Sequence, residues 1–186
     1  MTVSLAEKTD NELVELTLQN QEYFAYIIER YKGKLLSYIK RISGLDYEDA
    51  EDVLQEVLVK VYYNLNGFDL KLKFSSWIYR VAHNEAISEL RKRNVRPLYY
   101  VQDEDLARIA DGLDMSHEVD MHVLQDDINV TLSKMDKKYR EALVLKFLEE
   151  KDYNEISDIL KKPIGTVGTL INRAKKQFKK LYGTRT

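Results

Sequence analysis

A chain of 186 residues with 44% apolar and 32% charged side chains is long enough for one ordinary domain or two small ones, and apolar enough to build real cores. The absence of cysteine excludes a disulfide framework and any thiolate metal site, and suits a reducing cytoplasm. The opening MTVSLAEKTD does not read as a signal peptide, and no apolar run approaches the roughly 20 residues of a membrane helix, so a soluble, cytoplasmic protein without direct membrane insertion is expected.

The net charge of −2 conceals a strong segregation along the chain. Residues 1–68 carry 7 basic and 12 acidic side chains, 69–96 carry 7 and 3, 97–131 carry 1 and 9, and 132–186 carry 14 and 7. Two basic blocks are separated by an acidic one, so the overall charge does not argue against a polyanionic partner. With only 7 Gly and 2 Pro, and no strand-like alternation, the chain reads as all-α.

From Asn11 to Ser43 apolar and aromatic residues recur mostly at three- and four-residue steps, which predicts one or two amphipathic helices. The next segment, LDYEDAEDVLQEVLVKVYYNL, begins with Asp46 as an N-cap and acidic residues in its first turn, where the helix dipole favours them. Val53, Leu54, Val57, Leu58, Val61 and Leu65 share one face of that helix. Asp49, Asp52 and Glu56 line the opposite side with Gln55 beside them. A carboxylate stripe next to an amide is a candidate docking surface for a basic partner, although an ordinary solvated helix face has the same composition. It lacks the histidine or second carboxylate helix that a metal site would need.

Asn66 and Gly67 break the pattern and predict a loop ahead of FSSWIYRVAHNEAISELRKRN, residues 74–94. On a helix, Phe74, Ile78, Val81 and Ala82 form the buried face, while Trp77, Arg80, Asn84 and Arg91 fall in a neighbouring stripe. A ring for stacking, an amide for base edges and guanidiniums for phosphates suit the capture of unpaired nucleotides. Trp77 sits at the border of the two faces, and taken alone it is better explained as a half-buried packing residue.

Pro97 ends that block, and residues 97–127 combine weak periodicity with dense acid, as expected of an acidic, flexible linker with some helical content. Helical spacing returns from about Ile128. Asp152 and Glu155 make a capping box, and Tyr153, Ile156, Ile159 and Leu160 are the expected buried side of a short helix. Pro163 forces a turn, and Ile164, Val167, Ile171, Ala174, Phe178 and Leu181 then give a longer helix its core face. Thr166, Thr169, Asn172, Arg173, Lys176 and Lys180 lie outward. A short helix, a tight turn and a longer basic helix make a helix-turn-helix, whose second helix enters the major groove by its N-terminal part. A helical hairpin with a solvated basic face shares this pattern, but a surplus of seven positive charges over residues 132–186 exceeds what capping one helix requires.

The stretches DAEDVLQEVLVKVYYNLNGFD, KFSSWIYRVAHNEAISELRKR and LSKMDKKYREALVLKFLEEKDYNEISDILKKPIGTVGTLINRAKK together resemble the extracytoplasmic-function (ECF) sigma factors of bacterial RNA polymerase, across roughly residues 20–96 and 128–182. The resemblance implies a region 2-like helical domain over 1–96, a linker over 97–127 and a region 4-like helix-turn-helix domain over 128–186. It implies that Asp49, Asp52, Gln55 and Glu56 dock on the clamp helices of the largest core RNA polymerase subunit, and that the polymerase flap is a further contact. It also implies that Lys60, Asn66, Phe68, Trp77, Arg80, Asn84 and Arg91 meet the melted -10 element, and that Thr166, Gly168, Thr169, Asn172, Arg173 and Lys176 meet the duplex -35 element.

An anti-sigma factor is a further implied partner, and a monomer is the implied free state. After PIGTV the family usually places a basic residue, then Ser and often another Arg. Here Gly168, Thr169 and Leu170 stand instead, which predicts an unusual or weak -35 preference, each base contact being worth about 1–3 kcal/mol. Gly168 also suggests close approach of another group to that turn.

A free-standing DNA-binding regulator, dimerised through its N-terminal helices, is the competing reading, and it predicts tight duplex binding without polymerase. Catalysis finds no support. Histidine occurs only at His83, His117 and His122, HNEAI lacks HExxH spacing, and no cofactor, metal or catalytic group is implied.

Overall fold

Local sequence signals set the boundaries of most helices in the computed structural model, which describes residues 5–93, 103–113, 128 and 130–183. Helix α1 (Asp10–Gln19) starts at a capping box, in which the Thr9 hydroxyl accepts the Glu12 N–H and the Glu12 carboxylate accepts the Thr9 N–H. Helix α2 (Phe24–Ser43) ends at Gly44, whose φ of 67° places it in the left-handed region that glycine enters without a Cβ clash. Helix α3 (Tyr47–Asn64) begins under Asp46, whose side chain accepts the Asp49 N–H at 2.9 Å, as its sequence predicts. A 3-10 turn at Leu65–Gly67 and a short loop lead into α4 (Phe74–Arg93).

Helices α1 to α4 bury their apolar faces against one another. Tyr38, Ile39 and Ile42 of α2, Val57 and Val61 of α3, and Phe74, Ile78 and Ala82 of α4 are fully enclosed, and each large aliphatic removed from water contributes roughly 1.5–3 kcal/mol. Leu58 and Val81, expected inside, are only half-buried at the edge of this core.

The acidic block contains a short helix, α5 (Asp103–Gly112), in which Ile109 and the following Leu113 are fully buried. Their four-residue spacing puts both on one side, and that side packs against the protein. Residues 97–102 and 114–127 of the expected linker, including His117 and His122, lie outside the described residues.

The C-terminal half comprises α6 (Lys137–Leu143), a π-turn at Val144–Leu148, α7 (Tyr153–Leu160) and α8 (Ile164–Gly183). Arg140 is buried, and its guanidinium donates to the carbonyls of Leu132 (3.2 Å) and Met135 (3.3 Å), which ties the start of this unit to α6. The capping box of Asp152 and Glu155 forms as expected. Two residues assigned to the core face outward instead: Tyr153 is exposed with the Lys146 amine 5.4 Å from its ring centroid, and Ile164 is 49% exposed. Both stand at the first position of their helices, where the neighbouring turn provides no lid. The two halves meet where α7 packs against α4.

Candidate functional site

Three faces carry the residues singled out from sequence. On α3, Asp52, Gln55 and Glu56 are exposed side by side, and Asp49 is half-buried one turn earlier. The stripe lies opposite Val53, Val57 and Val61, so burial of the apolar face fixes its outward direction.

The second face is built by the end of α3, the loop and α4. Asn66 is exposed on the 3-10 turn, and Asn84 and Arg91 are exposed on α4, with Arg80 half-exposed between them. Lys60 is exposed but ion-paired with Glu85, so it must exchange a carboxylate for any phosphate.

The aromatic residues are placed differently from the amides and cations. Phe68 is only 7% exposed, its ring 5.4 Å from Phe74 and 5.3 Å from Trp77. Its ring is therefore no stacking platform for a base, because packing beneath the loop already occupies it. Trp77 is half-buried on the same cluster, 5.6 Å from Phe74, with part of the indole still accessible. Trp77 is therefore a packing residue that keeps an accessible edge.

The third face lies on α8. Thr166, Thr169, Asn172, Arg173 and Lys176 are exposed, and Gly168 is half-buried between them. The Thr169 hydroxyl donates to the Gly165 carbonyl at 3.0 Å, which leaves its methyl and an oxygen lone pair outward. The close approach expected at Gly168 is not found within the chain. A Cβ there would meet only Tyr153 Cε2, at an ordinary 3.8 Å, whereas the buried Leu170 is spent on the core.

Sequence reasoning missed a network between the halves. Arg41, Tyr79, Asp105 and Glu149 converge in one buried cluster, and Tyr38, His83 and Glu141 line a second. The Arg41 guanidinium is pulled down by burial, but Glu149 and Asp105 more than compensate and hold it above its ordinary value. These pairs join residues far apart in sequence, so no local spacing announces them.

A four-helix N-terminal bundle with an acidic outer stripe, carrying a helix-turn-helix with a basic outer helix, defines an all-α protein of the DNA-reading class. Residues 27–96 match the family model for Sigma-70 region 2, and residues 125–178 match that for Sigma-70, region 4. The chain is 35% identical over 170 residues to the ECF RNA polymerase sigma factor SigW of Bacillus subtilis (strain 168), an alignment that covers 87% of this chain and 89% of that relative. To the RNA polymerase sigma-H factor of Pseudomonas aeruginosa it is 30% identical over 188 residues, with 95% of each chain covered.

Among solved structures, CnrH in complex with the cytosolic domain of CnrY aligns with a TM-score of 0.69 and 22% identity, over 95% of this chain and 99% of that one. The sigma factor RpoE in complex with the anti-sigma factor NepR from Bartonella quintana aligns with a TM-score of 0.63 and 20% identity, over 85% and 95%. Both likenesses are ones of fold. The chain belongs to the ECF sigma factors of the sigma-70 family. Among the described residues no helix is long and apolar enough to cross a membrane.

Proposed function

We propose that this sigma factor binds core RNA polymerase in the cytoplasm and directs initiation at promoters with a -10 and a -35 element, without catalysis of its own. The observation that carries this reading is the separation of three outward faces on one chain: the carboxylate stripe of α3, the Asn84 and Arg80 stripe of α4, and the basic face of α8. In this reading residues 1–96 dock on the polymerase clamp helices and hold the melted -10 strand, 97–127 connect, and 128–186 contact the flap and read the -35 duplex.

The roles follow from chemistry. Asp52, Gln55 and Glu56, with Asp49, offer charge and hydrogen-bond acceptors to a basic helical surface. Asn66 and Asn84 present amides that pair with base edges, Arg80 and Arg91 present guanidiniums to phosphates, and Trp77 supplies the accessible ring. Capturing an unpaired base selects the open form of the duplex, so binding energy alone shifts the melting equilibrium. On α8, Thr166, Thr169, Asn172 and Arg173 reach into the major groove with Lys176 on the phosphates. An anti-sigma factor is a natural regulator of such a chain, because one solved neighbour of the same fold is a sigma factor in complex with an anti-sigma factor.

The test is co-purification with core RNA polymerase from a matched host, followed by transcription from fragmented genomic DNA with and without the protein. Start sites that appear only with it support the reading and yield both elements by alignment. Tight duplex binding with no affinity for core would instead establish a free-standing regulator.

A further inference from the structure

Where α4 meets α6 and the end of α7, a cavity of about 630 Å³ opens at the surface, a size that accommodates a small molecule. Its floor is polar. The side chain of Glu141 is only 10% exposed, its Oε1 accepts no hydrogen bond among the described residues, and the Lys137 amine stands 3.8 Å away. The imidazole of His83 lies beside it, 3.9 Å from the other carboxylate oxygen. The buried Ile87 and the half-buried Leu160 supply apolar wall.

The rim is cationic. Arg91, Lys138 and Lys162 are exposed and Lys137 is half-buried, against the single rim carboxylate of Asp136. Among the described residues no carboxylate pairs with Arg91, Lys138 or Lys162, and the Lys138 amine rests instead 4.9 Å from the Tyr139 ring centroid. Burial, together with the like charges of Arg91 and Arg140, holds the Lys137 ammonium below its ordinary value, although Glu141 pulls it up. Burial likewise raises the Glu141 carboxyl, against the opposing pull of Lys137, Arg140, Lys162 and Arg91. Crowded cations without partners and a buried acceptor without a donor are both costly, and a ligand that brings an anion and a donor together relieves both.

Phosphates for the rim, a ring for the apolar wall and N–H donors for the floor are the parts of a nucleotide. The floor selects the base, because an ionised carboxylate only accepts. Guanine presents two donors side by side, its N1–H and its N2 amino group, to the two oxygens of a carboxylate, whereas adenine sets the acceptor N1 beside its single amino group. The rim selects a free nucleotide over one within a strand, because a triphosphate gathers on one molecule the negative charge that several unpaired cations require.

We propose that this cavity is a binding site for a free guanine nucleotide, with the triphosphate on Arg91, Lys138 and Lys162, the base against Ile87 and Leu160, and its N1–H and N2–H donating to Glu141. The site lies apart from the carboxylate stripe of α3 and the basic face of α8, and shares only Arg91 with the face proposed to meet the melted strand.

The test is isothermal titration calorimetry on the full chain in magnesium-free buffer, without polymerase, which binds nucleotides itself. GTP is expected to bind about tenfold more tightly than ATP, within the range that one bidentate pair discriminates, and tripolyphosphate no better than ATP. Glu141→Gln exchanges one acceptor for a donor and should bring GTP to the level of ATP while leaving ATP unchanged. Lys138→Glu with Lys162→Glu, both at exposed positions, should weaken both nucleotides by roughly tenfold. Histidine occurs at only three positions, so the His83 ring resonances, assigned with His83→Gln, report on the cavity directly and should shift with the midpoint found by calorimetry.

If Glu141→Gln fails to fold, the exposed pair and the His83 resonances decide the matter. No measurable GTP binding, equal affinity for GTP, ATP and tripolyphosphate, a GTP preference that survives Glu141→Gln, full affinity in the exposed pair, or His83 resonances that stay in place at saturation would each overturn the site. None of these measurements contains DNA or core polymerase, so a negative result leaves the promoter reading standing.

Discussion

The hydroxyl of Tyr38 and Nδ1 of His83 lie 2.9 Å apart, inside the wall that α4 presents to the C-terminal half. Burial raises the Tyr38 pKa well above its ordinary value, so the phenol keeps its proton and shares a neutral hydrogen bond with the imidazole. Burial, reinforced by Lys137, pushes His83 down to about 4. The groups around it are Tyr38 from α2, Arg91 from its own helix, and Lys137 and Glu141 from α6, with Glu141 3.9 Å from Nε2.

This placement predicts an acid-sensitive fold. A histidine whose folded pKa lies below its unfolded value near 6.5 contributes stability that is complete above 6.5 and is lost as pH falls towards 4. At pH 5 the loss from His83 is about 2 kcal/mol relative to neutral pH. Glu141, raised by burial, works against it by taking up a proton more readily when folded. Urea unfolding at pH 7.5 and pH 5 should therefore show a steeper loss for wild type than for His83→Gln, and equal losses would remove His83 as the cause.

Reversal of Asp52 and Glu56 to lysine should weaken core polymerase binding by roughly tenfold or more, because like charges would then face a basic surface. Both side chains are exposed, so the melting temperature should stay nearly unchanged. Surface plasmon resonance against immobilised core, with circular dichroism on the same variants, reads both quantities. Unaltered affinity would take the docking role from this stripe.

Trp77 and Asn84 should separate packing from DNA contact. Asn84 is exposed on α4, so Asn84→Ala should leave stability within about 0.5 kcal/mol while reducing open-complex formation. Trp77 packs on Phe68 and Phe74, so Trp77→Ala should cost about 3 kcal/mol and lower the melting temperature as well. Permanganate footprinting of melted thymines, alongside thermal melts, distinguishes the two. An Asn84→Ala chain that melts promoters normally would exclude that amide from base capture.

The fold was legible wherever a local pattern had a local cause. Asp46, and Asp152 with Glu155, announced two helix starts because a cap acts over three residues, and the apolar spacing of α2, α3 and α8 followed from helical periodicity. Tyr153 and Ile164 were misassigned because the first position of a helix has an apolar neighbour on one side only. Phe68 shows the same limit at the site: its place in the loop suggested a base contact, but the depth of a ring depends on which helix lies beneath it. The Arg41–Glu149 pair was not legible at all, because the two residues stand 108 positions apart and their pairing depends on how the two halves of the chain meet.

Gly168 offers the clearest test of how α8 reads DNA. It lies inside the helix, no left-handed backbone requires a glycine there, and an added Cβ meets nothing nearer than Tyr153 at 3.8 Å. Gly168→Ala should therefore stabilise the chain by about 0.5–1 kcal/mol through helix propensity alone. Gly168→Arg should retain part of that gain and add a cation between the exposed Thr166 and Thr169, on the face proposed to meet the groove. Affinity for -35 duplex should then rise, with a salt dependence steeper by about one phosphate contact. If Gly168→Arg is stable but binds duplex no better at any salt concentration, the N-terminal part of α8 does not approach the DNA backbone, and the -35 face has to be sought further along the helix, around Arg173 and Lys176.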